Sequence, residues 1–534
     1  MSKPNGILLV LALWLVFCGT ASATQFYVNE SGWWRAGGAF YGSGTPIQSA
    51  VTAADNGDSI YVYNGSYYEN VDVDKRLILE GEGMDVVTVT AKSSHDPVFE
   101  VTANWVEISG FAVSGATGSY KPGIRLYYAD NCNIYNNSAS HSQYGISLSF
   151  SSNNMLQNNV ADSNHYYDSG YGISLSSSSN NVLRNNSASD NQHGISLSFS
   201  SNNTLANNTA NSNSYRGEGY GISLSFSSNN TLTANTANSN RDYGIYLYQS
   251  SNNVLQNNVA NSNHYYGSGY GIELSFSSNN TLTNNTASDN WDGIYLSSSS
   301  NNTLTNNTAS LNGDDGIVLH SSSNYNTLTN NTMNSNYDCG IYMDSSSNNT
   351  LSTNTVNSND RGIYLSDSDN NIITCNWMQN NTVRGFYLWE STGNDISYNN
   401  IIENGNYNTE TDGWEWNFYN DQTDPVEAKH NYWGAGMNNS TIDASICDDE
   451  EGGWGEVEFY PFETDPVTCT PTPELHGDVN HDGKLSTADA VLALWMAVGS
   501  IDTDPAADVN SDGQVTSLDA LMILQAAAGS IELG

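Results

Sequence analysis

Gly271-Ile-Glu-Leu-Ser-Phe-Ser-Ser-Asn-Asn-Thr-Leu-Thr-Asn-Asn-Thr-Ala-Ser-Asp-Asn290 is one copy of a unit that recurs through the middle of the chain. Its apolar residues, Ile272, Leu274, Leu282 and Ala287, come singly or in alternating pairs, separated by Ser and Asn. Alternation with period two reads as short strands, and no 3.6-residue stripe is present to make a helix. Gly-Ile returns at Gly123, Gly145, Gly172, Gly194, Gly221, Gly244, Gly271, Gly293, Gly316, Gly340 and Gly362, and Gly385-Phe386 closes the series. The steps are 22 to 24 residues, or 27.

A unit this short and polar cannot bury a face alone. Stacking identical units solves the problem: Ile lies over Ile and Leu over Leu at the strand spacing of about 4.8 Å, which makes one continuous core. About 22 residues with three short strands is the size of one coil of a parallel solenoid. The paired asparagines, such as Asn279-Asn280 and Asn284-Asn285, then stack as amide ladders from coil to coil. They also create N-x-Ser/Thr sequons, for instance at Asn202, Asn229, Asn279, Asn301 and Asn348. Asn tolerates the left-handed backbone of tight turns, so the turn reading is favoured over glycosylation at most of them.

These repeats resemble the right-handed parallel β-helix group that includes pectate-lyase-like and NosD-like proteins. The segment Pro46 to Tyr63, followed by Asn64 to Glu69, resembles the helix and first strand that cap such solenoids. His430-Asn-Tyr-Trp-Gly434 and Gly455 to Pro461 resemble the closing section. The expected fold is all-β: a right-handed parallel β-helix with N- and C-terminal caps, followed by a small all-α module. The expected segments are a signal peptide (1–23), an N-terminal cap with first coils (24–122), repeated coils (123–400), a closing segment (401–467), a linker (468–476) and the α module (477–534).

The signal peptide rests on Met-Ser-Lys, an apolar run from Ile7 to Phe17 and the small triplet Ala21-Ser-Ala23. That run is shorter than a membrane span, which predicts a secreted, extracellular or cell-surface protein with no membrane insertion. The chain has 56 acidic and 14 basic residues, a formal charge of -42, which argues against nucleic acid as partner. Of the five cysteines beyond the leader, Cys447 with Cys469 is the one pair to consider.

The linker contains Pro471 and Pro473, and two near-identical loops follow it. The first offers Asp478, Asn480, Asp482, Lys484, Ser486 and Asp489 at positions 1, 3, 5, 7, 9 and 12; the second offers Asp508, Asn510, Asp512, Gln514, Thr516 and Asp519. Oxygen ligands at this spacing around a Gly at position 6, here Gly483 and Gly513, suit calcium, one ion per loop and two in all. Each loop is followed by a single helix, expected over Val491 to Val498 and Leu521 to Ala528, and position 12 is Asp where an EF-hand has Glu. The pair resembles a type I dockerin, which implies a cohesin-bearing partner and a polysaccharide-active setting. By that resemblance the partner-facing residues are Thr487, Ala488, Ser517 and Leu518.

The longer, 27-residue steps carry loops rich in Tyr. Tyr166, Tyr167, Tyr215, Tyr265 and Tyr266 are candidates for stacking on sugar rings. Asp292 and Asp315 directly precede the repeat Gly, and Asp242, Asp338 and Asp360 lie two before it. Stacked charges at this spacing repel by only ~0.9 kcal/mol in water, which favours a solvated edge. The functional alternative is a groove with Asp315, Asp338, Asp360 and Arg361 at its densest part. Parallel β-helix lyases use carboxylates to hold calcium and a base to take a proton, and hydrolases of the fold use paired Asp. No motif here matches either arrangement, so no catalytic residue is assigned.

The sequence thus points to a polysaccharide-binding β-helix protein, with degradation of the polysaccharide as the open question, tethered through a dockerin. The rival is a non-enzymatic surface or adhesion protein whose solenoid is a spacer of roughly 70 Å. A NosD-like role in copper-site assembly would need clustered His, Met or Cys, which are scattered here.

Overall fold

The computed structural model describes residues 23–165, 170–214, 217–264, 268–409, 413–448 and 454–468, and, beyond them, 477, 479, 485, 487–498, 507, 509 and 515–527. The five candidate stacking tyrosines, residues 1–22 of the expected leader and most of the two loops lie outside the described residues. The chain divides into two compact units, Met1–Thr464 and Asp465–Gly534.

The first unit is a parallel β-solenoid. Each repeat contributes a strand, six residues long as in Tyr270–Ser275 or four as in Ile317–His320, to a 16-stranded sheet that runs from Val71–Val73 to Ile446–Cys447. A three-residue strand, such as Thr281–Thr283, follows and pairs with its equivalents in a second sheet. Register is in phase: Ile272 pairs with Ile294, Leu274 with Leu296 and Leu282 with Leu304. These columns of Ile and Leu are fully buried, as is the Ala287 column.

The third side differs from the expected third strand. In most coils it is a single bridge, as in Val259 to Thr286 to Thr308. Left-handed residues bound this side at Asn284 (φ 54°) and Asp289 (φ 57°) around Ala287, and equally at Thr353 (φ 54°) and Ser358 (φ 60°) around Val356, so they do not set the length of the strand. Full three-residue strands appear where larger apolar residues, Val356, Met378 and Ile401, fill this side.

The amide ladders are present, three of them. Asn285 shows the arrangement: its Oδ1 accepts from the backbone N–H and the Nδ2 of Asn258 (2.9 and 3.0 Å). Its own Nδ2 donates to Asn307 Oδ1 (3.0 Å) and to the Leu255 carbonyl (2.9 Å). Every polar atom of a fully buried amide is thereby satisfied, which is the condition for burying it. The sequon asparagines Asn202, Asn229, Asn279, Asn301 and Asn348 all have φ of 57 to 59°, so they are turn residues as expected. The recurring Gly has a different cause. A Cβ on Gly271 would lie 2.6 Å from Asn290 Nδ2 and 2.7 Å from the Gly293 carbonyl oxygen, so the corner closes only without a side chain.

At the N-terminal end, antiparallel strands Gln25–Asn29, Gly32–Arg35 and Phe40–Gly42 and helix α1 (Pro46–Ala53) cover the first coil. Glu69, fully buried, accepts the α1 N-terminal amides of Ile47 and Gln48 (3.0 and 2.9 Å), while Lys75 donates to the carbonyls of Val51, Thr52 and Ala54 at the other end. Opposite charges at the two ends match the helix dipole. At the far end, a hairpin (Asn406–Asn408 with Gly413–Glu415), helix α2 (Asn439–Asp443) and the buried Trp433 close the core.

Cysteine usage corrects the expected pairing. Cys447 is a thiol, as are Cys132 and Cys339, all buried, whereas Cys375 is disulfide-bonded. Cys447 sits in a strand of the long sheet opposite Tyr419, where register holds it.

In the second unit, helices α3 (Thr487–Ala497) and α4 (Ser517–Ala527) pack around Ala490, Ala493, Met496, Ala520 and Ile523. Both begin four residues earlier than expected, inside the loops. Asp519 Oδ2 accepts the Thr516 N–H and hydroxyl (2.9 and 2.7 Å), and Asp489 Oδ1 accepts the Val479 N–H (3.0 Å). Each position-12 aspartate thus sits in a first helical turn, where a carboxylate is stabilised. Among the described residues, no helix is long and apolar enough to cross a membrane.

Candidate functional site

The long sheet carries its chemistry on its outward face. Within each six-residue strand, Ile and Leu point inward, and the residues before Gly, after Ile and after Leu form three outer columns. From Tyr270 onward the first column reads Tyr270, Asp292, Asp315, Cys339, Arg361, Arg384. The second reads Glu273, Tyr295, Val318, Tyr342, Tyr364, Tyr387, and the third Ser275, Ser297, His320, Asp344, Ser366, Trp389.

Neighbouring coils bring members of different columns together. The Tyr270 and Tyr295 rings stack at 4.6 Å, and Tyr295 lies 6.1 Å from the His320 ring. His320 Nδ1 meets Asp344 Oδ2 at 2.6 Å, a contact that fixes the imidazole and its tautomer and turns Nε2 away from the carboxylate. Burial pushes the Tyr295 phenol up to about 12, and the carboxylates Glu273, Asp292, Asp344 and Asp315 add to the effect. Tyr295 therefore remains a proton donor at neutral pH.

The carboxylates around it are held near neutrality. Glu273 is 8% exposed, and burial raises it to about 7; a hydrogen bond from Tyr243 opposes the rise, and Oε2 has no partner among the described residues. Asp292, 5% exposed, is raised by burial to about 7, and Asp315, 7% exposed, by burial and then by Asp292 to about 8. These two aspartates are not on a solvated edge. Each serves the next coil: Asp292 Oδ1 accepts the Asp315 N–H (2.9 Å), and Asp315 Oδ1 accepts the Cys339 N–H (2.7 Å). Taking the repeat Gly as the start of each coil hides this, because the residue just before it belongs to the strand.

Of the sequence candidates, Asp315, Asp338 and Arg361 come together and Asp360 does not. Asp315, Asp338 and Cys339 offer ligand atoms within 4.8 Å of one another, as do Asp292, Asp314 and Asp315. Arg361 Nη1 donates to Asp338 in an ion pair. Asp360 instead accepts the Thr382 hydroxyl at 2.7 Å. Arg384 lies over the rings of Tyr387 and Tyr419, at 4.1 and 4.0 Å.

The described aromatic residues that line this face are the residues before Gly and after Ile. Tyr342, Tyr364 and Tyr387 stack at 4.9 and 4.4 Å, with ring faces against each other. Their faces are covered by one another, and the Tyr387 hydroxyl donates to Asp421 Oδ2 (2.7 Å). The signal was in the repeat, as Tyr before Gly-Ile in five of the six coils from Tyr144 to Tyr270, with His193 in the sixth. His320, by contrast, stands out from its neighbours only when the columns are aligned.

In the second unit, Asp489, Thr516 and Asp519 are the expected calcium ligands that fall within the described residues. Both aspartates are fully buried. Their side chains are thus already turned into the protein at the place where position 12 closes a calcium sphere. Thr487 and Ala488 begin α3, and Ser517 and Leu518 begin α4. Leu518 is exposed together with Leu521 and Leu524, and Val491, Leu494 and Trp495 are exposed on α3, with Val498 just beyond its end. Apolar residues at this spacing leave an uncovered stripe on each helix.

Comparison with known proteins agrees with this division. The family model described as right handed beta helix region matches residues 41–217, 97–260, 220–377 and 321–442. The model for the type I dockerin domain matches residues 476–526. No curated protein sequence matches the chain. Among solved structures, the A-module of a mannuronan C-5 epimerase from Azotobacter vinelandii is similar at 14% identity, covering 61% of this chain and 91% of that one, with a TM-score of 0.42. A PL6 family polysaccharide lyase from Pseudopedobacter saltans is similar at 13% identity, covering 66% and 92%, with a TM-score of 0.41. Both likenesses are of fold.

Proposed function

This chain belongs to the right-handed β-helix family and carries a type I dockerin domain, and from that premise we propose that it is an extracellular polysaccharide-binding protein that performs acid–base chemistry on its bound chain. The observation that carries the reading is the group formed by Tyr295, His320 and Asp344, with Glu273, Asp292 and Asp315 around it. An oriented imidazole beside a phenol is a base paired with an acid. Carboxylates buried enough to titrate near pH 7 to 8 mark a place where proton transfer is tuned rather than merely tolerated. The row of tyrosine hydroxyls along the same face would hold a linear glycan in line with the solenoid. The dockerin would then dock on a cohesin through the apolar stripes of α3 and α4, with calcium holding its loops.

In this reading His320 takes the proton, since Asp344 supports the imidazolium that results, and Tyr295, beside it on the same face, gives one. Arg361 and Arg384, farther along the same face, would attract acidic sugar units that the chain's net charge otherwise repels.

The test uses the full chain with uronate-containing and neutral polysaccharides, and scores both new chain ends and retention on the immobilised glycan. His320→Ala is expected to lower the rate by about 10²- to 10⁴-fold, and Tyr295→Phe comparably, with retention little changed. Retention without new chain ends in the wild type would reduce the protein to a binding module. Neither cleavage nor retention would leave the spacer reading, which the uninterrupted core columns and amide ladders favour.

A further inference from the structure

Three arginines stand in the described strands of the long sheet, all on its outward face, and the structure uses them differently. Arg125 pairs with Glu100, and Arg361 with Asp338. Arg384 pairs with no carboxylate: among the described residues, no hydrogen bond or ion pair occupies any of its donors. A carboxylate is at hand in Asp421, yet its Oδ2 accepts the Tyr387 hydroxyl (2.7 Å) instead.

Arg384 is nevertheless held in place. Its guanidinium lies 4.1 Å from the centre of the Tyr387 ring and 4.0 Å from that of Tyr419, and those two rings meet edge to face at 86°. Packing in this corner leaves the side chain half-buried. Its Nε is covered and unbonded, whereas the terminal Nη1 and Nη2, also unbonded, stay open to solvent. A fixed cation thus offers two nitrogens, in one plane, to whatever lies along the face.

The chemistry of the group selects the partner. A guanidinium only donates, so a cation is excluded and an acceptor is required. A neutral hydroxyl leaves the charge unmatched. A carboxylate accepts in the guanidinium plane with both oxygens and matches the charge, in a contact roughly twice as strong as a neutral one. The two rings replace water on one side of the cation, which strengthens that attraction. A freely diffusing anion meets a chain of net charge -42, so the carboxylate has to arrive on a body held by other contacts.

We propose that Arg384 recognises the carboxylate of a uronate unit, and so makes the polysaccharide of this face an acidic one. The inference rests on the reading of the face as a polysaccharide track and not on its acid–base step. Arg384 stands three coils beyond His320, about 14 Å at strand spacing. The uronate it holds is therefore not the reacting unit but one farther along the chain. Arg361, whose charge Asp338 already balances, contributes less to this choice.

The experiment is titration calorimetry of the full chain with hexamers of galacturonate and of mannuronate, with the same hexamers after every carboxylate is reduced to a primary alcohol, and with a sulfated galactose hexamer. New chain ends are scored in the same samples. At least one uronate hexamer is expected to bind about tenfold or more tightly than its reduced form. Arg384→Gln should weaken that hexamer about ten- to a hundredfold and leave the reduced form unchanged, and Arg384→Lys should recover little of the loss, because an ammonium is not a planar fork. Arg125→Gln removes the same charge in a distant coil and should leave binding as it was. Unfolding profiles matching wild type check that the variants are folded. A uronate hexamer bound with these properties but not cleaved would sink the acid–base reading and uphold this proposal. No uronate binding, reduced hexamers bound as tightly, tighter binding of the sulfated hexamer, or an Arg384→Gln variant that loses both forms equally or neither would overturn it.

Discussion

Asp315 shows how much one residue's meaning depends on what surrounds it. In water its charge would cost its neighbours little; buried between coils, it stands at about 8, with Asp292 and Glu273 at about 7. The sign for stability follows from the direction of these shifts. Each carboxyl binds its proton more tightly folded than unfolded, so its contribution is fully present below about pH 4 and is lost as pH rises towards 7 to 8. Asp315→Asn keeps an oxygen for the Cys339 N–H and removes the charge. The variant is expected to melt above the wild type at pH 8, by a margin that shrinks towards pH 5 and vanishes near pH 4, as thermal unfolding across that range would reveal. A wild type that keeps its lead at pH 8 would mean that the charged form is stabilised, for example by a cation held among Asp292, Asp314, Asp315 and Asp338. His320 teaches the complementary lesson: nothing in its local sequence marks it, because its partners Asp344 and Tyr295 are supplied by the coils on either side.

At the level of the coil, the paired asparagines divide the labour of one turn. Asn284 is exposed and left-handed, and Asn285 is buried and bonded to both neighbouring coils. Asn284→Gly should therefore be neutral within a few tenths of a kcal/mol, since Gly adopts φ near 54° without strain. Asn285→Ala strands the N–H and side chain of Asn258 and is expected to cost about 1–3 kcal/mol. Denaturant midpoints of the two variants would separate the roles, and equal losses would contradict the assignment. Sequence revealed both positions because a ladder needs the same residue at the same step in every coil. The single-bridge third side was not legible, since the length of a strand there depends on how wide a side chain the core accepts.

For the molecule as a whole, two units of different physics share one chain. The solenoid is held by nearest-neighbour stacking of apolar columns and amides. The C-terminal unit buries only a small core around Ala493 and Ile523, and its loops are built from acidic and amide side chains. Calcium at about 100 times its dissociation constant would add ~2.7 kcal/mol per site to the apparent stability of this unit. Chelation should then abolish or lower its unfolding transition in calorimetry and leave that of the solenoid in place. A solenoid transition that moved equally would place the dominant ion among the coils instead. By itself the sequence determined the parallel stacked fold, the residues of its core columns and ladders, and the two calcium-type loops, because each depends on a spacing repeated along the chain. Only the tertiary structure decided that Asp292 and Asp315 are buried while Asp360 turns to Thr382, and that Tyr295, His320 and Asp344 meet. Those outcomes depend on burial and on contacts between residues 22 to 27 positions apart, where a repeat specifies which coil lies next but not which way each side chain leans.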